Sequence, residues 1–384
     1  MARTPRFDPY GSSNSTLVFL RSVLDDVKAF VRSTQRDRRD VENDLTRKCV
    51  QFSLKRMRSQ AHSLLDRHIQ VTHKNTGAWL AEWLLQFKNV EFHEQGLHQI
   101  CQEAYRVRTD PEMLVMENLG QATHANKIPE TFSRVRHIIG RLAAHIRSVK
   151  QLLDDGIYVD DLLESYEVSA VPVPASVSLP PADGHTDLRG IMTRMFRLGS
   201  KDPRFESTLG YLSTMDEHAQ LEGRLSELHS PDRKPPTVHA EVQMLHHFYD
   251  NRVAFAGADR YIATSKPACM CCKLYFRHHP AMYVEPDSHQ RVWPNWGPIL
   301  LPLGQAEPGW TEQREVLNSV IHDIRKEVIM VIEQRRAVSF AHPDSLTGIT
   351  DMMNEEPSEP EDGQWDVDSE DLETGCGFDG GVPL

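Results

Sequence analysis

Pro235-Pro236-Thr237-Val238-His239-Ala240-Glu241 and, downstream, Ser265-Lys266-Pro267-Ala268-Cys269-Met270-Cys271-Cys272 are the two stretches that decide how this chain reads. Each has the signs of a helix start. In the first, the two prolines end the preceding segment, Thr237 is a good N-cap, and Val238, Val242, Leu245 and Tyr249 continue an apolar stripe. In the second, Pro267 suits a first helical turn, and Leu274 and Phe276 carry the apolar pattern onward. Residues two apart diverge in a helix interior, whereas in a first turn His239 and Glu241 can both reach beyond the helix end. Cys269 and Cys272 share one face, and the partial positive charge of a helix N-terminus favours their thiolates.

One imidazole and two thiolates make three tetrahedral zinc ligands and leave a fourth position for water. Two thiolates also neutralise the dication, so the metal acidifies water weakly and a nearby base is needed. Glu241 is placed to serve as that base without being a ligand. Among 19 histidines, roughly one His-x-Glu arises by chance, so the first half alone says little. Cys-x-x-Cys is far rarer with six cysteines, and it is the ordered pair of motifs that carries the reading. The competing readings are a structural zinc knot, or a buried histidine with three free cysteines.

Working outward, Arg260–Thr264, Met282–Val284 and Ile299–Leu303 read as short strands, and 186–197, 204–228 and 311–335 as helices. That order predicts an α/β fold, a three-layer domain with a central mixed sheet, over residues 166–345. Val168, Val171, Val173 and Val177 alternate with small residues and prolines at its entrance. Residues 1–165 read as an all-helical N-terminal region. Leu17, Leu20, Leu24, Val27 and Val31 form one stripe there, and Val135, Ile139, Leu142, Ile146 and Val149 another. Trp79, Trp83, Leu84 and Phe87 supply a third apolar face.

The formal charge of −12 is concentrated at one end. Of 55 acidic residues, twelve fall within Asp351–Leu384, where there is no lysine or arginine, which leaves 43 acidic against 43 basic elsewhere. Residues 346–384 are therefore expected to form an acidic disordered tail. Residues 28–74 hold twelve Lys or Arg against five Asp or Glu, which suits either a solvated helix face or a contact for phosphates or for the acidic tail. No run of eighteen apolar residues occurs, so no membrane partner is expected. Three of the six cysteines lie within four residues, where disulfide geometry is poor, which points to an intracellular chain, cytoplasmic or nuclear.

At the two motifs the sequence resembles the cytidine deaminase-like superfamily, with its His-x-Glu followed by Pro-Cys-x-x-Cys. The forms HAEVQML (239–245) and YIATSKPACMCC (261–272), with SHQRVWPNW (288–296), look most like a nucleic acid or nucleotide deaminase branch expanded in filamentous fungi and related to bacterial toxin deaminases. The resemblance covers residues 235–303. It implies zinc held by His239, Cys269 and Cys272, with Glu241 as the proton shuttle. Two departures stand out: Ala268 separates Pro267 from the first cysteine, and Cys271 adds a third thiol, expected to point off the shared face. His289, Trp293 and Trp296 could wall a substrate pocket or simply pack, while His246, His247, His278 and His279 read as surface or satisfied core residues.

The expected activity is hydrolytic deamination of a nucleobase in a nucleoside, nucleotide or nucleic acid, by a zinc-dependent hydrolase of C–N bonds. A neutral folded part favours a small nucleoside or a protein-guided substrate over long DNA. The alternative is an inactive deaminase-like scaffold with structural zinc, whose protein partners bind through the helical region or the acidic tail. The presence of Glu241 favours the enzyme, since a structural site has no use for it.

Overall fold

The computed structural model describes residues 12–33, 36–73, 82–87, 93–121, 128–230, 233–264 and 266–335. Trp79, Cys376 and the acidic segment 346–384 lie outside the described residues. The chain divides between Ala170 and Val171 into two compact units.

The N-terminal unit is helical. It contains α1 (Ser12–Val31), α2 (Arg38–Phe52), α3 (Leu54–His73), a 3-10 turn at Leu85–Phe87, α4 (Glu94–Val107), α5 (Pro111–Gln121), α6 (Ile128–Tyr158) and the short α7 (Asp160–Glu164). The long α6 packs against α2, α3, α4 and α5. Its Val135, Ile139 and Leu142 are buried with Met57, Leu97, Ile100 and Phe132, as the 3.6-residue period requires. Leu84 and Phe87 join that core with Trp83 at its edge. A second cluster buries Val149 and Leu153 with Val23, Val27, Val41 and Leu45. The buried face of α1 is thus centred on Val23 and Val27, and Leu20 faces outward.

Much of the basic excess in residues 28–74 is met by carboxylates within this unit. Arg32 pairs with Asp160, Arg38 with Asp154 and Glu42, and Lys48 with Asp26. Such partly exposed pairs each contribute at most about 1 kcal/mol. Their effect is to neutralise the surface locally, which favours the solvated-face reading over a phosphate contact.

The C-terminal unit begins with an extended run through residues 171–182 and continues with α8 (Leu188–Met195), α9 (Phe205–Ala219) and α10 (Leu221–Leu228). The helix expected over 204–228 is broken at Gln220, which takes a left-handed conformation (φ 51°) and ends α9. Then come α11 (Ala240–Asp250), α12 (Met270–His278) and α13 (Trp310–Gln334). Val238, Val242 and Leu245 pack with Leu274, Tyr275 and Phe276, and Val316 and Val320 of α13 close the same core.

The expected three-layer α/β arrangement with a central mixed sheet does not form. Among the described residues there is no strand, only isolated bridges pairing Ser176 with Ile299, Thr237 with Trp296 and Ala268 with Ser288. The segments predicted as strands pair only through single contacts. Val284 N–H reaches Arg260 O (3.0 Å), while Met282 beside it is left-handed (φ 52°). Leu300 N–H reaches Ala175 O (2.7 Å), and there Pro172, Pro174, Pro298 and Pro302 have no N–H with which to extend the pairing.

The Thr237 to Trp296 bridge needs a glycine beside it. Thr237 N–H donates to Asn295 O (2.6 Å), and Gly297 N–H donates to Thr237 O (3.0 Å). A Cβ on Gly297 would lie 2.7 Å from Pro236 Cβ, closer than packed carbons approach. We expect Gly297→Ala to lower stability by about 1–3 kcal/mol, the usual range for overpacking, in urea unfolding followed by circular dichroism. An unchanged midpoint would show that the bridge tolerates the extra methyl group.

Candidate metal centre

His239 ends an extended segment as the N-cap of α11 (φ −71°, ψ 151°), which puts Glu241 in the first turn. Cys269 is likewise the N-cap of α12 (φ −70°, ψ 163°), with Cys272 in its first turn. The first cap therefore sits two residues later than Thr237 suggested, and Pro267 precedes its helix instead of lying in the first turn. One run of chain, residues 287–297, fastens both helix starts. It pairs with Thr237, it accepts from the amides of Ala268 (Asp287 O, 2.7 Å) and Met270 (Arg291 O, 3.0 Å), and His289 N–H donates to Ala268 O (3.2 Å). Asn295 Nδ2 adds a bond to Thr237 Oγ1 (3.1 Å).

The result is a triangle of donor atoms. His239 Nδ1 lies 3.5 Å from Cys269 Sγ and 3.4 Å from Cys272 Sγ, and the three ligand atoms lie within 4.8 Å of one another. Tetrahedral zinc with bonds of about 2.3 Å to sulfur and about 2.0 Å to nitrogen puts nitrogen and sulfur roughly 3.5 Å apart and two sulfurs roughly 3.8 Å apart. The donor set and its spacing are thus compatible with zinc. Glu241 Oε2 stands 4.0 Å from Cys272 Sγ, at the rim of the triangle.

Both sulfurs are buried, Cys272 completely. Burial opposes ionisation of Cys269, but contacts from Cys271, Cys272 and His239 outweigh it and hold this thiol well below its ordinary pKa. Cys272 moves the other way, pushed up by burial and by the neighbouring Cys269. The sequence suggested two thiolates at the helix start. Two neighbouring thiolates repel at short range, which is why lowering Cys269 goes with raising Cys272. His239 is shifted up: burial disfavours its charge, and Cys269 more than compensates. Burial also raises Glu241.

Cys271 stands outside the donor triangle, as its offset from the shared face implies, although it is buried next to Cys269, and that neighbour and burial push its thiol upward. His289 is buried beside the cluster, with Nδ1 accepting the Arg291 amide (3.1 Å) and Nε2 lying 3.4 Å from Trp293 Nε1. Within the SHQRVWPNW segment already noted in the sequence, Asn295 is the site residue that sequence reasoning did not single out, since a side-chain amide has no motif of its own.

Residues 238–300 match a family model described as an OTT_1508_deam-like deaminase. This segment is deaminase-like. No curated protein and no solved structure matches the chain. No described helix is long and apolar enough to cross a membrane.

The paired histidines behind the site are satisfied: His246 Nε2 meets Tyr275 Oη (2.8 Å) and His278 Nε2 meets Asp323 (2.8 Å). His279 is buried among the rings of His246, Tyr249 and Tyr275, and its Nδ1 accepts the Ala281 amide (3.1 Å). Burial and the neighbouring His246 push its pKa down to about 3. Between about pH 6.5 and 3 the unfolded chain therefore binds a proton that the folded chain refuses, and stability falls as pH falls. His279→Asn keeps an acceptor for the Ala281 amide and removes the titration. We expect urea unfolding from pH 7 to 4 to lose up to about 1.4 kcal/mol per pH unit of slope in this variant. An identical slope in both proteins would assign the acid sensitivity elsewhere.

Proposed function

We propose that the C-terminal unit is a zinc-dependent hydrolytic deaminase acting on an amino-substituted base in a nucleoside, nucleotide or nucleic acid. The observation that carries this reading is the place of Glu241: a half-buried carboxylate 4.0 Å from a ligand sulfur, beside the donor triangle and outside it. A purely structural zinc site gains nothing from such a group, and leaving it there costs desolvation. The match of residues 238–300 to a deaminase family supports the same class.

In this reading His239 Nδ1, Cys269 Sγ and Cys272 Sγ hold the zinc. When bound, the metal supplies Lewis acidity toward water in its remaining position. Glu241 does the proton work. Its carboxylate accepts a proton from the water that adds to the amine-bearing carbon, donates it to the ring nitrogen, and serves again as the amine departs as ammonia. Burial raises the Glu241 pKa, so the carboxyl can hold a proton between those steps. His239, at a helix cap, is fixed by the backbone rather than by a long flexible side chain.

Ammonia release from nucleosides, nucleotides and short oligonucleotides, with zinc measured on the same samples, tests the proposal. Glu241→Ala should keep one zinc per chain and lose activity by about 10²–10⁴-fold, the usual contribution of a general acid–base group. Cys269→Ser should lose both metal and activity. Stoichiometric zinc in the wild type with no ammonia from any substrate would instead favour a structural metal in a binding protein. Absence of zinc from protein purified without chelator would overturn the reading at its base.

A further inference from the structure

Cys269 and Cys272 differ in what donates to their sulfurs. Cys269 Sγ, at its N-cap, accepts the backbone N–H of Cys272 (3.4 Å), as an oxygen does in an ordinary helix cap. Cys272 is the more deeply buried of the two, has no water to solvate it, and has no such amide among its partners. A thiolate left that way bears the full cost of desolvation.

Trp296 holds the complementary feature. Its indole Nε1 is buried and has no well-aligned hydrogen-bond partner. Buried ring N–H groups are nearly always paired, so this one requires an explanation. The indole packs against the cluster that contains Cys272, stacks at an angle with Tyr275 (centroids 6.1 Å apart), and is held from behind by the bridge to Thr237. Its N–H lies beside the Cys272 sulfur. Trp293, three residues earlier, is directed elsewhere, toward His289. A neutral thiol is a poor acceptor and a thiolate a strong one, so the two unmet groups solve each other once Cys272 is ionised.

We propose that Trp296 is a positioning residue for the metal centre, its indole N–H donating to the Cys272 sulfur when that sulfur serves as a ligand. The inference rests on the metal-binding reading above and adds to it a residue outside the His-x-Glu and Cys-x-x-Cys motifs. Hydrogen bonds of this kind orient ligands and tune their electron donation.

Trp296→Phe in the full chain keeps a ring and removes the N–H, and Trp293→Phe is the matched control. Zinc affinity, measured by competition with a chromogenic chelator, should fall by about 10–100-fold in Trp296→Phe and stay near wild type in Trp293→Phe. In cobalt(II)-loaded protein, the sulfur-to-metal charge-transfer band should move to longer wavelength in Trp296→Phe alone, because an unbonded thiolate gives up charge more readily. In the wild type, one of the six indole N–H signals should move downfield on adding zinc, a measurement that needs no variant. Unchanged affinity and band position in Trp296→Phe, equal changes in Trp293→Phe, or no shifted indole signal would overturn the assignment while leaving the metal centre standing. A wild type that binds neither zinc nor cobalt would remove both.

Discussion

The meeting of two helix starts is the constraint on which the C-terminal unit depends. The first turn of α11 and the first turn of α12 must face one point closely enough that a ring nitrogen stands 3.4–3.5 Å from each of two sulfurs. Helices repel at like ends, since both N-termini carry partial positive charge. Something must offset that repulsion. A thiolate at Cys269 does so locally, and the run of residues 287–297 does so mechanically by bonding to the backbone before each cap. Gly297 belongs to the same device: the missing Cβ lets this run approach Pro236 and keeps Thr237 in register two residues ahead of His239.

From that constraint follow the electrostatics of the cluster. Among the three buried sulfurs Cys269 is pulled down, while burial and the neighbouring Cys269 push Cys271 and Cys272 up. The half-buried Glu241 carboxyl loses part of its hydration there and is likewise raised. A divalent cation placed among these groups reverses the balance, since it stabilises a second thiolate where repulsion forbade it. Affinity of such a site is therefore coupled to proton release.

What the sequence reveals here is what periodicity and side-chain chemistry encode. The Val135, Ile139, Leu142 stripe of α6 is buried as its spacing requires, and His239, Glu241, Cys269 and Cys272 come together from 30 residues apart. Short apolar runs carry no such redundancy. Arg260–Thr264 and Ile299–Leu303 have the composition of strands, yet whether a ladder propagates is decided by neighbours: prolines without N–H groups and left-handed residues such as Met282 and Gln290. The break at Gln220 and the late cap at His239 belong to the same class. Each depends on a backbone angle that no side-chain pattern announces.

A centre held by helix caps and single bridges differs physically from one built on a sheet. A sheet spreads positional restraint over many rungs, so loss of one contact moves a ligand little. Here each helix start is fixed by two or three bonds to one extended run, and Cys269, Cys271 and Cys272 are themselves members of the apolar core. The ligands are thus also packing residues. In the proposed function, forming the metal's bonds and completing the core of this unit are parts of one free-energy change, and the metal supports the fold around it as much as the fold holds the metal.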